Sequence, residues 1–555
     1  MNNGVDQDFI NKLVNYLETK QHKQLQLEVK LLGKIEDQHP IIIFYYAVSL
    51  SSYENLTKED LVYASDLFEK VYLADKSNFL PLQHMVLLSS TLKKFSKVKR
   101  YVEEEIKKDK DNIKLIESLA MINHSLGNDD VSIKYFKELY DKEPEAIKGR
   151  TTYINSLQYA SSIDQKEYFH ECAKYARTLE KAINIEKENF NFEIEKNRKP
   201  KIAFISGDFK KHSITRFFTG LISNINKNDF EIHLISNVNI KLQDEISKKL
   251  KSIADQWYDI RNYSDDELTN FIRSLNIDIL IDLSGYTFNN RHEVLARRCA
   301  RIQIGWLGYI NTLCLANLDY LIADKNLIMQ SEVNMYKEKI LYLPKIWNAL
   351  SVPENLPEIE DKKINNKVFT FGSFNNFRKL SDDVIEVWSK ILTGSNSQII
   401  LKEPFKESED IKENIYTKFI NKGVMSNQLI FLGFEKKEED HYKHYNKINL
   451  ALDTFPYPGV TTTFESLLMG VPVITMKGFN FVSRAGASIN KNIGMTDLIA
   501  SNYDEYISIA NKLSNDRELH VRNGHNLREK AINSPLCDTV TFAKDFEKLL
   551  KRVLN

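Results

Sequence analysis

Two series of short apolar runs, each alternating with helical segments, constrain this chain more than any other feature. The first follows Lys199-Pro200 and comprises Lys201–Ser206 (KIAFIS), Phe230–Ser236 (FEIHLIS), Ile277–Ser284 (IDILIDLS), Ile302–Gly308 (IQIGWLG) and Asp319–Ala323 (DYLIA). After a polar, charged stretch at 353–367 a second series runs through Val368–Phe374, Gln398–Lys402, Gln428–Phe434, Ile448–Phe455 and Val471–Met476. Two successive βα series imply two parallel-sheet domains, each with a ligand position at the carboxyl ends of its strands. From about residue 500 the pattern is helical again, as in Thr541–Leu554 (TFAKDFEKLLKRVL).

The region before Lys199 reads as helices and turns without strands. Amphipathic runs such as Leu61–Ala74, Lys97–Lys108 and Val131–Lys142 alternate with short polar turns. Three of these turns, beginning Asp75-Lys76-Ser77-Asn78, Asp109-Lys110-Asp111-Asn112 and Asp141-Lys142-Glu143-Pro144, lie 34 and 32 residues apart. That period and layout resemble tetratricopeptide repeats, helix pairs that stack because no single pair covers its own apolar face. His39-Pro40 is read as opening an earlier, degenerate repeat; a plain helical bundle is the alternative. The expected domains are therefore repeats over 1–195, a first lobe over 196–360 and a second lobe with trailing helices over 361–555.

Charge excludes several function classes. The 76 basic and 76 acidic side chains cancel without a long single-sign run, so neither a nucleic-acid groove nor a polybasic membrane anchor is expected. No apolar stretch approaches the roughly 20 residues of a membrane span, so no membrane insertion is expected. The N-terminus lacks the basic flank and apolar run of a signal peptide. Cys172, Cys299, Cys314 and Cys537 are scattered without metal-ligand spacing, which points to buried thiols in a reducing compartment, and hence to the cytoplasm.

The chemistry concentrates in Asn449–Gly478. A strand ends at Asp453, a Pro/Gly turn follows, and Thr461-Thr462-Thr463 opens a helix whose apolar face carries Phe464, Leu467 and Leu468. Gly459 lets the backbone approach a ligand closely. The helix start offers N–H groups and a positive dipole end suited to a diphosphate. Glu465, four residues after Thr461, shares its face and could accept hydrogen bonds from ribose hydroxyls. An N-cap followed by a first-turn acid would leave the same trace.

Beyond physics, the run Leu452-Asp453-Thr454-Phe455-Pro456-Tyr457, with Gly459, Thr461-Thr462 and Gly470-Val471-Pro472, resembles the donor-binding signature of the O-GlcNAc transferase family, which includes the plant SPINDLY-type enzymes. Other family-like pieces follow in order: Ser206-Gly207-Asp208-Phe209 with His212, Ser284-Gly285-Tyr286-Thr287, Trp306-Leu307-Gly308-Tyr309, Ser373-Phe374-Asn375-Asn376 with Lys379, Ser483-Arg484 and Ser534-Pro535-Leu536. The resemblance covers about residues 200–550. It implies a GT-B fold, two Rossmann-like lobes around a cleft, preceded by an all-α repeat domain. It also implies an inverting glycosyltransferase moving GlcNAc from UDP-GlcNAc to Ser or Thr of a protein acceptor, which the repeats help to present.

Carried over residue by residue, Lys379 binds the donor phosphates, ahead of a helix capped by Ser381, and Asn376 is a neighbouring donor-binding position. His441 stacks on the nucleobase, and His444 stands where some members carry arginine. His212 falls in the active site, as base or positioning group. Asn270 occupies a position where some members have a second candidate acid. No carboxylate pair of the DxD type is obvious beside the phosphate site, so a lysine and a helix dipole would replace a metal ion, and no cofactor is expected.

Two departures concern the substrate. Ile310-Asn311-Thr312-Leu313-Cys314 replaces the usual Pro-Gly-Thr-type loop, near the expected sugar or acceptor pocket, and Arg301 replaces a proline. The segment Gly459–Met476 is at least as close to SPINDLY-type fucosyltransferases, which makes GDP-fucose the alternative donor, whereas Ser483-Arg484 speaks for the GlcNAc branch. Rival classes are a repeat adaptor with inactive transferase lobes and a nucleotide-sugar epimerase of related architecture.

Overall fold

The structure, a computed structural model, describes residues 6–52, 57–147, 149–185, 192, 198–360, 368–403, 409–515 and 524–555. The junction expected at 195/196 lies outside them and that at 360/361 at their edge. The chain forms two compact units: Met1–Pro144 with Glu407–Ile415, and Glu145–Lys406 with Tyr416–Asn555.

The first unit is helical. Its helices include Pro40–Ser52, Lys58–Ala74, Leu80–Leu92, Ser96–Ile106, Ile113–Ser125 and Asp129–Lys142, each packed on the next, with Leu80–Leu92 also against Ile113–Ser125. Leu61, Ala64, Leu67, Phe68 and Val71 form the buried stripe of one helix at helical spacing. The repeat period reappears in polar links between helices. Tyr72 Oη donates to Glu105 (2.8 Å), Tyr101 Oη to Glu69 (2.6 Å) and Lys142 Nζ to Asp111 (2.6 Å), each spanning one repeat of sequence. In the turns, Asp75 accepts from the Ser77 backbone N–H, and Asn112 caps the helix that follows it.

The second unit holds both sheets. Strands β1 (Lys201–Ser206), β2 (Glu231–Ser236), β3 (Gln256–Asp259), β4 (Ile279–Asp282), β5 (Ile302–Gly305), β6 (Tyr320–Asp324) and β7 (Lys339–Leu343) build a sheet of order β3-β2-β1-β4-β5-β6-β7. Strands β8 (Phe369–Ser373), β9 (Ser397–Lys402), β10 (Leu429–Leu432), β11 (Leu450–Leu452), β12 (Val473–Met476) and β13 (Ile499–Ala500) build the other, of order β10-β9-β8-β11-β12-β13. Every pairing is parallel, and β1 and β4 are buried almost throughout. Strands covered on both faces need continuous apolar runs, which is why the sequence shows them. The strand order reverses beside β1 and beside β8, so both sheets open a crevice at their carboxyl ends.

Three segments tie the lobes together. The last helix, Thr539–Leu554, grouped by chain order with the second lobe, packs instead on the first. Phe546 lies 4.7 Å from the Trp306 ring, and Lys551 Nζ is 2.8 Å from Asp229. Its amphipathic stripe finds there an apolar surface that β7 and the helix after β1 leave uncovered. Arg484 reaches across to Glu332 with both terminal nitrogens (2.5 and 2.8 Å). Helices Arg150–Ser156 and Gln165–Ala182, read from sequence as the tail of the repeats, belong to this unit. No described helix is long and apolar enough to cross a membrane.

Candidate active site

The second lobe supplies the floor. β11 delivers Asp453, whose Oδ1 accepts the backbone N–H groups of Gly459 (2.6 Å) and Thr454 (3.0 Å) and whose Oδ2 accepts Thr475 Oγ1 (2.9 Å). Burial pushes its carboxyl up to about 6 against those donors and Lys379. Asp453 thus folds the turn back so that the helix Thr461–Leu468 starts at the mouth of the crevice. A Cβ on Gly459 would lie 2.4 Å from Thr462 Oγ1 and 3.0 Å from Asn375 Oδ1, so only glycine fits against the helix start. Thr462 Oγ1 donates to Asn375 Oδ1 (3.0 Å) and Thr463 Oγ1 to Gly459 O (3.0 Å). Thr461, half-buried, makes no side-chain hydrogen bond to the other described residues.

Lys379 comes to the same place from β8. Its Nζ donates to Pro458 O (2.8 Å) and lies 4.5 Å from the centre of the Tyr457 ring, and Tyr159 stacks on that ring. Burial, aided by Arg378 and opposed by Asp453, pushes the Lys379 ammonium down to about 8. Ser381 caps the next helix through the Val384 N–H, as expected. Asn376 does less than its neighbour: its Oδ1 caps the short turn Phe377–Lys379 through Arg378 N (2.9 Å), while buried Asn375 faces Thr462 and Asp453.

Glu465, only 3% exposed, is the hub. Its Oε1 accepts from Arg216 Nη1 (2.8 Å), and its Oε2 lies 3.1 Å from His441 Nε2 and 3.2 Å from Tyr445 Oη. Burial alone would raise this carboxyl, but His441 and Arg216 and the hydrogen bonds hold it down at about 2. His441 also edges the ring of Phe374 at 5.9 Å. His444 points elsewhere: its Nε2 pairs with Glu435 (3.0 Å), and burial foremost lowers its pKa.

From the first lobe, His212 is the N-cap of helix Ser213–Asn224. Its Nδ1 lies 3.4 Å from the Ile214 N–H and 3.8 Å from Asp208 Oδ2. Burial lowers its pKa, partly offset by Asp208, so the ring is neutral at neutral pH. With Nδ1 accepting from Ile214, Nε2 carries the proton; with Nδ1–H turned to Asp208, Nε2 offers a lone pair. One turn along the same helix, Arg216 reaches Glu465 and Tyr442 Oη (2.8 Å). The sequence reading missed Arg216, although its spacing of four from His212 puts the two on one helix face.

The altered loop packs into the protein interior. Ile310–Cys314 is buried. Thr312 Oγ1 and the N–H groups of Leu313 and Cys314 all donate to Glu338, and Asn311 Oδ1 accepts from Gln165. The loop that lacks Pro and Gly is thus tied to a buried carboxylate and to helix Gln165–Ala182. Arg484, buried against Glu332, likewise joins the lobes. Among the described residues no group of three or more His, Cys, Asp or Glu could hold a metal ion.

Comparison with known proteins bears on the fold and the family. A solved structure of a Thermobaculum terrenum O-GlcNAc transferase variant superposes with a TM-score of 0.80 over 93% of this chain and 97% of its own, at 23% identity, and so shares the fold, a GT-B pair of lobes with helices ahead. The chain is 32% identical to a barley (Hordeum vulgare) protein named as a probable UDP-N-acetylglucosamine–peptide N-acetylglucosaminyltransferase SPINDLY, over 62% of this chain and 37% of that protein. It is 36% identical to the Eustoma exaltatum counterpart over 52% and 32%, so it spans well under half the length of these curated relatives. Residues 155–367 and 356–546 match glycosyl transferase family 41, and the chain belongs to that family.

Proposed function

We propose that the chain is an inverting, metal-independent protein O-glycosyltransferase that moves GlcNAc from UDP-GlcNAc to Ser or Thr hydroxyls. The observation that carries this is the convergence of Lys379, Gly459 and the Thr461 helix start on one crevice, with Glu465 and His441 beside it. The helix end and Lys379 would hold the diphosphate, Glu465 the ribose and His441 the base. The acceptor oxygen attacks the anomeric carbon, and the bond to the diphosphate breaks with its electron pair going to phosphate oxygen. That developing charge meets the Lys379 ammonium and the N–H groups at the helix start. The hydroxyl proton passes to a base. His212 Nε2 serves if Nδ1–H is held by Asp208, and otherwise His212 orients the acceptor.

Further supports are the Asn375–Thr462–Gly459 contacts, which set the helix start, and the names of the plant relatives, which carry the same donor. We place the acceptor partly on the N-terminal repeats and the protein in the cytoplasm. The second reading is a GDP-fucose donor, and what favours it is that Arg484, of the Ser-Arg element that spoke for GlcNAc, is engaged by Glu332. Titration calorimetry with UDP and GDP separates the two. UDP should bind more tightly, whereas preference for GDP by tenfold, about 1.4 kcal/mol, would overturn the donor assignment.

A further inference from the structure

We infer that Arg216 is a positioning residue for the nucleoside: from the helix capped by His212 it reaches the second lobe and holds the Glu465 carboxylate where a ribose meets it. The inference rests on the reading of Glu465 as the ribose acceptor. Its basis is a count of hydrogen-bonding positions. An ionised carboxylate offers about four acceptor sites, and Arg216, His441 and Tyr445 occupy three on Glu465. One remains for a sugar hydroxyl, and a second opens only if His441 turns away, as stacking on a base would require.

Arg216 suits this task because its fork is shared. Nη1 donates to Glu465 Oε1 and to Tyr442 Oη, and Nη2 lies 2.8 Å from Glu438 Oε1. Planar guanidinium fixes direction as well as charge, so the free acceptor on Glu465 keeps one orientation. A role confined to tying the lobes is already filled by the Arg484–Glu332 pair, by Leu350 N donating to Leu536 O (2.8 Å) and by the returning C-terminal helix. Arg216 differs from these in meeting a carboxylate on the donor helix itself. It also joins that carboxylate to the helix that His212 caps, so the nucleoside site and the candidate active-site histidine are linked through that helix.

The test compares two ligands within each protein. The dissociation constants of UDP or GDP, whichever binds more tightly, and of its 2′,3′-dideoxy analogue are measured for wild type, Arg216→Ala and Arg216→Lys. Inorganic pyrophosphate serves as the phosphate-only probe. In wild type the ribose form should win by roughly 10-fold or more, the worth of a hydrogen bond to a charged group. In Arg216→Ala the ratio should collapse toward one while pyrophosphate binding holds. Arg216→Lys, which keeps the charge but not the fork and carries the test if the alanine variant fails to fold, should fall between. A large ratio retained in a folded variant would overturn the role of Arg216. A ratio near one in wild type would remove the ribose reading of Glu465, and the inference with it.

Discussion

Replacing Lys379 by Met tests the phosphate site with little change of shape. The ammonium is buried beside Pro458 and Tyr457, and the next residue, Gly459, leads into the helix start, so a diphosphate oxygen there lies within a few ångströms of Nζ. At an effective dielectric near 20, unit charges about 4 Å apart attract by about 4 kcal/mol. Part of that acts already on the bound donor. If about 3 kcal/mol is specific to the departing diphosphate, turnover should fall on the order of 10²-fold. The same lysine gives a pH signature. Its pKa is lowered from 10.5 to about 8, so about nine in ten molecules carry the charge at pH 7 and few at pH 9. kcat/KM, which reports the free enzyme, should fall as pH rises through about 8, whereas kcat should hold to higher pH because bound phosphate raises the lysine again. The burial that lowers this pKa disfavours the charged fold, so removing the charge should leave Tm unchanged or higher. Steady-state rates with donor and acceptor, together with a thermal melt, read all three. A wild-type turnover in Lys379→Met, or a pH profile unchanged by it, would refute the reasoning.

Other outcomes follow from single contacts. His212→Asn keeps an N-cap and should melt like wild type while transfer falls by roughly 10²-fold or more, whereas His212→Ala also loses about 1 kcal/mol of helix capping; equal rates for wild type and His212→Asn would remove the histidine from the chemistry. Gly459→Ala puts a Cβ 2.4 Å from Thr462 Oγ1 and should weaken UDP binding by roughly tenfold or more, measured by calorimetry. Glu465, lowered from 4.5 to about 2, contributes stability that is present above pH 4.5 and lost as pH falls through about 2; Glu465→Gln should therefore flatten that part of the acid-denaturation curve.

The sheets were legible because burial on both faces writes itself as uninterrupted apolar runs, and the repeat period was legible because each unit buries the same stripe. The Ser381 cap and the Gly459 turn were legible for local reasons. The rest depends on contacts distant in sequence. Glu338 lies far along the chain from Thr312, and nothing near Ile310–Cys314 announces the carboxylate that accepts from it. The same holds for Arg484 with Glu332 and for Arg216 with Glu465. Asn375 and Asn376 are adjacent and chemically alike, so only the backbone direction after β8 decides which one faces the crevice. The final helix is amphipathic wherever it packs, and its sequence does not say which lobe covers it.

The central claim is that this crevice transfers a sugar. The direct measurement is incubation of the protein with UDP-GlcNAc, and in parallel GDP-fucose, and a cell lysate, with chelator present, followed by peptide mass spectrometry. The account predicts N-acetylhexosamine on Ser or Thr side chains, undiminished by the chelator and greatly reduced with Lys379→Met. No modified peptide with either donor from a folded protein that still binds nucleotide would contradict it and point to the inactive adaptor; transfer restored only by added Mg²⁺ or Mn²⁺ would contradict the metal-independent mechanism.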